Sequence, residues 1–189
     1  MGKGYYHTPE SVEEYIRLAE PYDGHQLINQ LRKYLNEGSA VLELGSGPGK
    51  DFNLLSKRFE TLGSDISQEF INYLKEQFPE GNFLTLDAIS IHTERKFDAI
   101  YSNKVLHHLS NEELEQSIQR QAEILNPGGW VCHSFWKGEG DEVHNGLFVN
   151  YHTEEELKGY FNALFETKMI ESYHEFEDDD SLLYIGQKK

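Results

Sequence analysis

Short apolar runs alternate with amphipathic segments along most of this chain. From Ser39 onward the pattern predicts helices over 51–59, 68–78, 111–125 and 153–164, and strands over 40–44, 60–65, 82–87, 97–103, 129–136, 167–175 and 181–187. Strands separated by helices are typical of parallel βαβ units, so the sequence predicts a three-layer α/β sandwich. Because ligands bind beyond the carboxyl ends of the strands in such sheets, the residues that end each strand are the first candidates for a site.

The beginning of the chain has a different pattern. Ser11 fits the N-cap of a helix, with Glu14 completing a capping box, and Pro21 interrupts the helical pattern. A second helix is indicated by an apolar stripe that consists of Leu27, Ile28, Leu31 and Leu35. We therefore expect one compact domain, in which residues 1–38 form an N-terminal helical segment and candidate active-site lid, and residues 39–189 form the main unit.

Composition narrows the partners that such a domain can have. The chain has 17 Lys and Arg against 33 Asp and Glu, a formal net charge of −16, so nucleic acid is not an expected partner. No apolar run approaches the roughly 20 residues of a membrane-spanning helix, so no membrane partner is expected. The single cysteine, Cys132, suits a reducing cytoplasm. The acidic run at 175–180 is interpreted as a solvated turn.

A glycine-rich turn, Gly45-Ser46-Gly47-Pro48-Gly49, follows the first strand of the main unit. Such a turn before a helix lets the backbone approach a ligand closely. A dinucleotide fingerprint needs its third glycine where Lys50 stands. A phosphate-binding P-loop needs a different glycine spacing and Ser or Thr where Asp51 stands, and Pro48 removes an N–H donor. The sequence therefore argues against a pyrophosphate ligand at this turn.

Taken with the segments that follow it, this turn resembles the class I S-adenosylmethionine-dependent methyltransferases. The resemblance rests on E-x-G-x-G-x-G at 43–49 and on "LGSDIS", "LTLDAIS", "FDAIYSNKVLHHL" and "LNPGGW", in that order. It extends from about Ser39 to the C-terminus. It implies a Rossmann-like α/β/α fold with a mostly parallel seven-stranded sheet and an antiparallel last strand. It also implies S-adenosylmethionine as the cofactor and S-adenosylhomocysteine as the product.

The resemblance assigns cofactor contacts to the first motif. It implies that Glu43 orients the methionyl end of the cofactor and that the backbone at Gly45 and Gly47 lies against this end. Ser46 and Gly49 complete the turn and are expected to contact the cofactor as well.

Further cofactor contacts are implied at the ends of the next strands. Asp65 is expected to accept hydrogen bonds from both ribose hydroxyls, as a carboxylate can, and Ile66 to pack on adenine. Asp87 and Ala88 are expected to face the adenine edge, and Asn103 to lie beside the sulfonium. Two alternatives stay open here: the Asp65 carboxylate could instead cap the following helix, and Asp87 could be a plain turn residue.

Candidates for the chemistry and for acceptor binding lie elsewhere. His107 is a candidate general base, and Tyr6, with its neighbour Tyr5, could reach the transferable methyl from a lid. Glycines interrupt the stretch 136–153, and its length favours a functional loop. The acceptor-binding candidates in this loop are Trp136, His144, Phe148 and Tyr151. A metal is not expected, because the adjacent His107 and His108 do not have the i, i+4 spacing of a helical zinc site.

The sequence favours a methyltransferase that acts on a small-molecule acceptor. It lacks the N/D-P-P-Y/F motif of many enzymes that methylate amino groups of nucleic acids or glutamine, and "SNKV" stands in that place. Two alternatives remain open: an enzyme acting on a tRNA wobble uridine or on a protein, and a non-catalytic cofactor-binding protein. A homodimer through the N-terminal helices is a further expectation.

Overall fold

The structure is a computed structural model that describes residues 8–19, 22–144 and 146–189. Six α-helices are present in these residues: α1 Pro9–Leu18, α2 His25–Leu31, α3 Lys50–Leu55, α4 Gln68–Gln77, α5 Asn111–Ile124 and α6 Glu154–Phe161. Nine strands accompany them: β1 Ala40–Leu44, β2 Glu60–Asp65, β3 Asn82–Thr85, β4 Phe97–Ser102, β5 Leu125–Trp136, β6 Asp141–His144, β7 Leu147–Asn150, β8 Phe165–Tyr173 and β9 Ser181–Lys188. A short 3₁₀ helix, Leu106–His108, follows β4.

Seven of the strands form one sheet in the order β3-β2-β1-β4-β5-β9-β8. Strands β1 to β5 pair in parallel, whereas β9 runs antiparallel to both β5 and β8. This arrangement confirms the predicted mostly parallel sheet with an antiparallel last strand. The chain crosses from β3 back to β4, so the order reverses between β1 and β4. A crevice opens at the carboxyl ends of the strands at such a reversal.

Both faces of the central strands are buried. Successive side chains point to opposite faces, so that Val41 and Ala99 pack under α2 and α3 while Leu42 and Ile100 pack under α5 and α6. This explains why these strands read as continuous apolar runs in the sequence. Leu35, predicted to lie on the second helix, lies beyond its end and packs against the same cluster as Val41.

The first helix begins earlier than the sequence pattern indicates. Its N-cap is Thr8, whose hydroxyl accepts the N–H of Ser11 at 3.2 Å, and Ser11 returns a hydrogen bond to the cap. The prediction that Ser11 is the N-cap, with Glu14 as its capping-box partner, is therefore wrong. Pro9 fits the first turn because the missing N–H would have no helical partner there.

The stretch 136–153 is more ordered than the predicted loop. Strands β6 and β7 form an antiparallel hairpin within it, paired from Asp141–Asn150 to His144–Leu147. The Asn150 amide donates to the Leu109 carbonyl at 3.2 Å, which fixes the hairpin beside the 3₁₀ helix.

The acidic turn between β8 and β9 is organised by one carboxylate. Asp180 accepts the backbone N–H groups of Glu175, Phe176 and Glu177 and the hydroxyl of Ser181. Burial opposes its ionisation, but these hydrogen bonds outweigh burial and hold the pKa of Asp180 at about 2. None of the helices in the described ranges has the length and apolar character needed to cross a membrane.

Candidate active site

Two adjoining cavities open at the carboxyl ends of the strands. The inner cavity, of about 120 Å³, is lined by residues that include Gly47, Asp65, Ile66, Leu86, Ala88 and Phe148. The outer cavity, of about 380 Å³, is lined by residues that include Tyr22, Glu43, Asp51, His107, Trp136 and Phe176. Their shared wall contains Gly45, Asn103, Lys104 and His108. Many of the residues that the sequence singled out therefore meet in one region.

Gly49 and Gly47 in the turn are glycines for different physical reasons. A Cβ on Gly49 would lie 2.5 Å from the Leu74 side chain, so packing against α4 requires a glycine there. Among the described residues, a Cβ on Gly47 would meet only the Tyr15 ring, at 3.8 Å. Gly47 also has a positive φ of 47°, and its surface forms part of the inner cavity wall. The structure thus leaves open space over Gly47.

Asp65 ends β2 and links the glycine turn to the next helix. Its Oδ2 accepts the N–H of Gly47 at 3.0 Å, and its Oδ1 accepts the N–H of Ser67 at 2.9 Å. Ser67, not Asp65, is the N-cap of α4, since its hydroxyl accepts the N–H of Phe70. Capping therefore does not account for the Asp65 carboxylate, which is largely buried and lies in the wall of the inner cavity.

Neighbouring residues after β3 have different roles. Leu86 and Ala88 line the inner cavity, and both are buried. The Asp87 carboxylate accepts the N–H of Ile89 at 2.7 Å and so stabilises the turn. The contact of Asp87 with an adenine stays a prediction.

Glu43 lies beneath the glycine turn and is almost fully buried. The Ser46 hydroxyl donates to its Oε2 at 2.5 Å and accepts the N–H of Ser64 at 3.0 Å. Burial, followed by the nearby Asp51, raises the pKa of Glu43 to about 8. Glu43 therefore carries a proton over much of the neutral range.

Asp51 is a site residue that sequence reasoning missed. Its carboxylate accepts the Gly24 N–H at 2.6 Å, the Tyr101 hydroxyl at 2.7 Å and the Asn103 amide at 3.1 Å. Burial raises its pKa. The Asn103 carbonyl oxygen accepts the Ser134 hydroxyl at 2.6 Å, so both ends of this amide are held. The only sequence signal for Asp51 was an acid in the first turn of α3.

The two histidines of the 3₁₀ helix face different partners. His108 donates its Nδ1–H to the Phe148 carbonyl at 2.7 Å. His107 is buried in the outer cavity wall, and its Nδ1 has no hydrogen-bond partner among the described residues. Burial, with His108 and Lys104 adding to it, lowers the pKa of His107 well below its usual value. The ring is therefore neutral at pH 7.

The predicted acceptor-binding residues do not all reach the cavities. Trp136 lines the outer cavity and Phe148 the inner one. Tyr151 lies outside both linings, and its hydroxyl donates to Glu142 at 2.7 Å. His144 ends β6, but the position of its side chain is not described. Tyr5 and Tyr6 lie outside the described residues.

Comparison with known proteins agrees with this geometry. The family described as "Methyltransferase domain" matches residues 41–129, which contain β2 to β4, the glycine turn and all but the first residue of β1. Over this stretch, just under half of its length, the chain is similar to the class I S-adenosylmethionine-dependent methyltransferases. No group of three or more potential metal ligands occurs in the part of the chain that the structure describes.

The names of similar proteins specify different methyl acceptors. The chain is 34% identical over 123 residues to a phosphoethanolamine N-methyltransferase of Plasmodium falciparum, covering 62% of this chain and 46% of that protein. It is 31% identical over 142 residues to a malonyl-[acyl-carrier protein] O-methyltransferase of Priestia megaterium, covering 67% and 51%. It is 27% identical over 138 residues to a tRNA (carboxymethyluridine(34)-5-O)-methyltransferase of Mus musculus, covering 69% and 20%. The chain thus spans about half the length of the first two.

The fold has close counterparts among solved structures. An S-adenosylmethionine-dependent methyltransferase from Clostridium acetobutylicum aligns with a TM-score of 0.77 at 13% identity, covering 95% of this chain and 98% of that one. At this identity the likeness shows the shared fold.

Proposed function

We propose that this methyltransferase-family domain transfers a methyl group from S-adenosylmethionine to a small-molecule acceptor by direct displacement. The observation that carries the proposal is the pair of adjoining cavities that meet at Gly45 and Asn103. The inner one has the chemistry of a nucleoside pocket, and the outer one is lined by aromatic and ionisable side chains.

The inner cavity fits the cofactor. Ile66, Leu86 and Ala88 form an apolar wall suited to adenine, and Asp65 places a carboxylate at the end of β2 where ribose hydroxyls could donate to it. The open space over Gly47 allows close approach to the backbone. S-adenosylmethionine, when bound, supplies an electrophilic sulfonium methyl. We call the part of the site lined from the ends of β1, β2 and β3 the cofactor side.

The remaining residues align the acceptor. Asn103, held between Asp51 and Ser134, presents a fixed amide where the cavities meet. His107 offers a neutral ring with an unpartnered Nδ1, which could accept a proton from an acceptor that must lose one. We call the part lined from the ends of β4 and β5 and from the β8–β9 turn the acceptor side.

A tRNA acceptor is the second candidate, and the similarity to the mouse tRNA enzyme supports it. The charge of the chain opposes it: at a net charge of −16, a phosphate backbone is repelled on average. This net charge favours the small-molecule acceptor.

Two measurements test the proposal. Calorimetry with S-adenosylhomocysteine should show binding at a single site, and its absence would end the proposal. Tritiated methyl from S-adenosylmethionine should then appear in a fraction of small metabolites and not in bulk tRNA or protein. Label found only in tRNA would establish the second candidate, and binding without any transfer would indicate a non-catalytic binding protein.

Three expectations from the sequence stay predictions beside this proposal. They are a cytoplasmic location, a homodimer, and the division of the chain into an N-terminal segment, 1–38, and a main unit, 39–189.

A further inference from the structure

Lys104 holds an unusual position at the carboxyl end of β4. It has a positive φ of 53°, a region that non-glycine residues seldom adopt outside constrained sites. Its N–H donates to the Ser134 hydroxyl at 2.9 Å. Its Nζ donates to the Phe135 carbonyl at 3.1 Å and to the Ser181 hydroxyl at 2.6 Å. The residue is therefore held at both its backbone and its charged end.

The ammonium group of Lys104 has no direct counter-ion in the part of the chain that the structure describes. Among the described residues, no carboxylate lies within 4.0 Å of Nζ. Both hydrogen-bond acceptors are neutral, and the Ser181 hydroxyl gives its own proton to Asp180. The Trp136 ring lies against the charge, with its centroid 3.3 Å from Nζ. A partly buried cation satisfied only by neutral groups costs free energy that a bound anion would offset.

The hydrogen bonds of the Lys104 ammonium are directed toward the acceptor side of the site. The cofactor side is built from β1, β2 and β3, whereas the partners of Lys104 come from β5 and β9, on the other side of β4. Lys104 also contributes to the wall that separates the two cavities. An anion that pairs with the ammonium from the outer cavity would therefore belong to the acceptor.

We propose that Lys104 is the binding residue for an oxyanion of the methyl acceptor, so that the outer cavity takes a small molecule bearing a carboxylate or phosphate. This rests on the proposed function and specifies its acceptor class. Trp136 stabilises the ammonium through its ring face and forms the neighbouring wall. Binding the anion places the acceptor beside Asn103, where the two cavities meet.

The charges around Lys104 allow this role. Burial lowers the pKa of Lys104 to about 7, and Glu175 and then Asp180 oppose that shift from a distance. Burial also raises the pKa of Glu175, which reduces the negative charge that an incoming anion meets. His107 and the Tyr173 ring, 5.4 Å away, are the other groups that face the ammonium. Because a bound anion stabilises the charged form, it should raise the pKa of Lys104.

The test uses the full chain saturated with S-adenosylhomocysteine, with succinate and inorganic phosphate as separate probes. Calorimetry should show that Lys104→Met weakens binding of the preferred probe by about tenfold or more, as expected when one partner of a desolvated charge pair is removed. Lys137 is an exposed lysine just beyond the end of β5. The variant Lys137→Met is therefore the matched control and should leave probe binding unchanged. Lys137→Met should bind S-adenosylhomocysteine as the unchanged protein does, and probe binding to Lys104→Met is measured at S-adenosylhomocysteine concentrations that saturate that variant.

A second measurement does not depend on the variant folding. Lysine side-chain NMR of the unchanged protein should show one resonance titrating near pH 7 that moves to higher pH on adding the probe, assigned by its loss in Lys104→Met or its change in Lys104→Arg. Succinate affinity should fall as pH rises through 7, because succinate keeps its charge there while Lys104 loses its own. Phosphate itself changes charge near pH 7, so the pH dependence of affinity is measured with succinate.

The outcomes separate the two proposals. Equal probe binding by the unchanged protein and Lys104→Met, or a lysine resonance that neither probe moves, overturns the oxyanion site and leaves the methyltransferase proposal intact. Failure of the unchanged protein to bind S-adenosylhomocysteine overturns the methyltransferase proposal instead. A preference for phosphate over succinate, or the reverse, decides which oxyanion the acceptor carries.

Discussion

The cofactor side and the acceptor side of this molecule are built in different ways. On the cofactor side, the ends of β1, β2 and β3 and the segments after them supply much of the wall of the inner cavity, and these residues fall within one stretch, 44–88. On the acceptor side, the wall combines Tyr22, Lys104, Trp136 and Phe176, which come from distant parts of the chain.

Aromatic contacts join these distant parts of the acceptor side. Phe176 stacks on Trp136 at 5.4 Å between ring centroids and meets Tyr22 edge-on at 4.7 Å. The Gly24 N–H, donated to Asp51, ties the same N-terminal region to α3. The cofactor side is therefore formed mainly by local backbone geometry, whereas the acceptor side depends on tertiary packing between distant segments.

The largest expected effect is a loss of affinity for S-adenosylhomocysteine, from a change on the cofactor side alone. Asp65→Ala should weaken S-adenosylhomocysteine binding by about a hundredfold, because each hydrogen bond to a carboxylate contributes roughly 1.5–3 kcal/mol and a factor of ten is about 1.4 kcal/mol. Calorimetry measures the affinity, and urea unfolding measures the cost of losing the bonds to Gly47 and Ser67.

Asp98 provides the matched control for that experiment. Its carboxylate also accepts two hydrogen bonds, from the Ala40 N–H at 2.9 Å and the Asn126 amide at 2.7 Å, but near the amino end of β4. Asp98→Ala should lower stability without changing affinity for S-adenosylhomocysteine. Equal loss of affinity in both variants would show that Asp65 acts through stability and not through contact with the cofactor.

Most of the cofactor side could be predicted from the sequence, since its signals are local. The strand 40–44 and the strand 60–65 were predicted with the bounds that the structure has. Asp51 could not be predicted because its three partners, Gly24, Tyr101 and Asn103, come together only in the folded chain.

The acceptor side shows the limit of sequence patterns more plainly. The sequence predicts a loop where the structure has the hairpin β6–β7, because glycines interrupt 136–153 and strand pairing depends on a neighbouring segment. Nothing in "SNKV" indicates that the charge of Lys104 becomes buried with no carboxylate within 4.0 Å among the described residues. In each case the missing information is a contact between residues distant in the chain.

A second effect concerns a buried polar chain that joins the two sides. His133 accepts the Ser102 hydroxyl and donates to Gln121, each at 2.8 Å, and Gln121 donates to Ser117, which donates to the Ala88 carbonyl. Burial lowers the pKa of His133 from 6.5 to about 3. The unfolded chain therefore binds more protons between these values, and the stability due to neutral His133 is lost as pH falls below 6.5.

The variant His133→Phe should remove that pH dependence. Between pH 7 and pH 5 its free energy of unfolding should fall by about 2 kcal/mol less than that of the unchanged protein, as linkage predicts for one histidine kept neutral. Urea unfolding at the two pH values measures this difference. The exposed His92 gives a matched variant, His92→Phe, which should keep the original pH dependence. An unaltered pH dependence in His133→Phe would contradict the assigned role of burial.

A third and smaller effect uses the open space over Gly47. Gly47→Ala should lower affinity for S-adenosylhomocysteine by about tenfold, since a Cβ there would occupy space that the cofactor needs, whereas among residues 8–19, 22–144 and 146–189 it meets only Tyr15. Gly38→Ala is the control: Gly38 also has a positive φ, 79°, with nothing within 4 Å of its Cβ, and it lies before β1 at the opposite end of the sheet. Both variants should lose about 1–2 kcal/mol of stability from backbone strain. An affinity loss no larger in Gly47→Ala than in Gly38→Ala would place the cofactor away from this glycine.

The smallest effect tests the aromatic contacts of the acceptor side. Tyr22 and Phe176 are 40% and 53% exposed, so their contact lies at the mouth of the outer cavity and is open to solvent. Tyr22→Ala should raise the KM for the acceptor found in the labelled-methyl screen by about threefold, in keeping with the roughly 0.5–1.5 kcal/mol of an aromatic pair. It should leave S-adenosylhomocysteine affinity unchanged.

The control for this pair is Tyr34, which packs against Trp130 with tilted rings at 4.5 Å between centroids, outside both cavity linings. Tyr34→Ala should lower stability without changing KM. In a double-mutant cycle, Tyr22→Ala and Phe176→Ala should be non-additive in KM, because each removes the other's partner. Additive effects would show that the two rings contact the acceptor separately, and a loss of cofactor affinity in Tyr22→Ala would mean that the two sides share this residue.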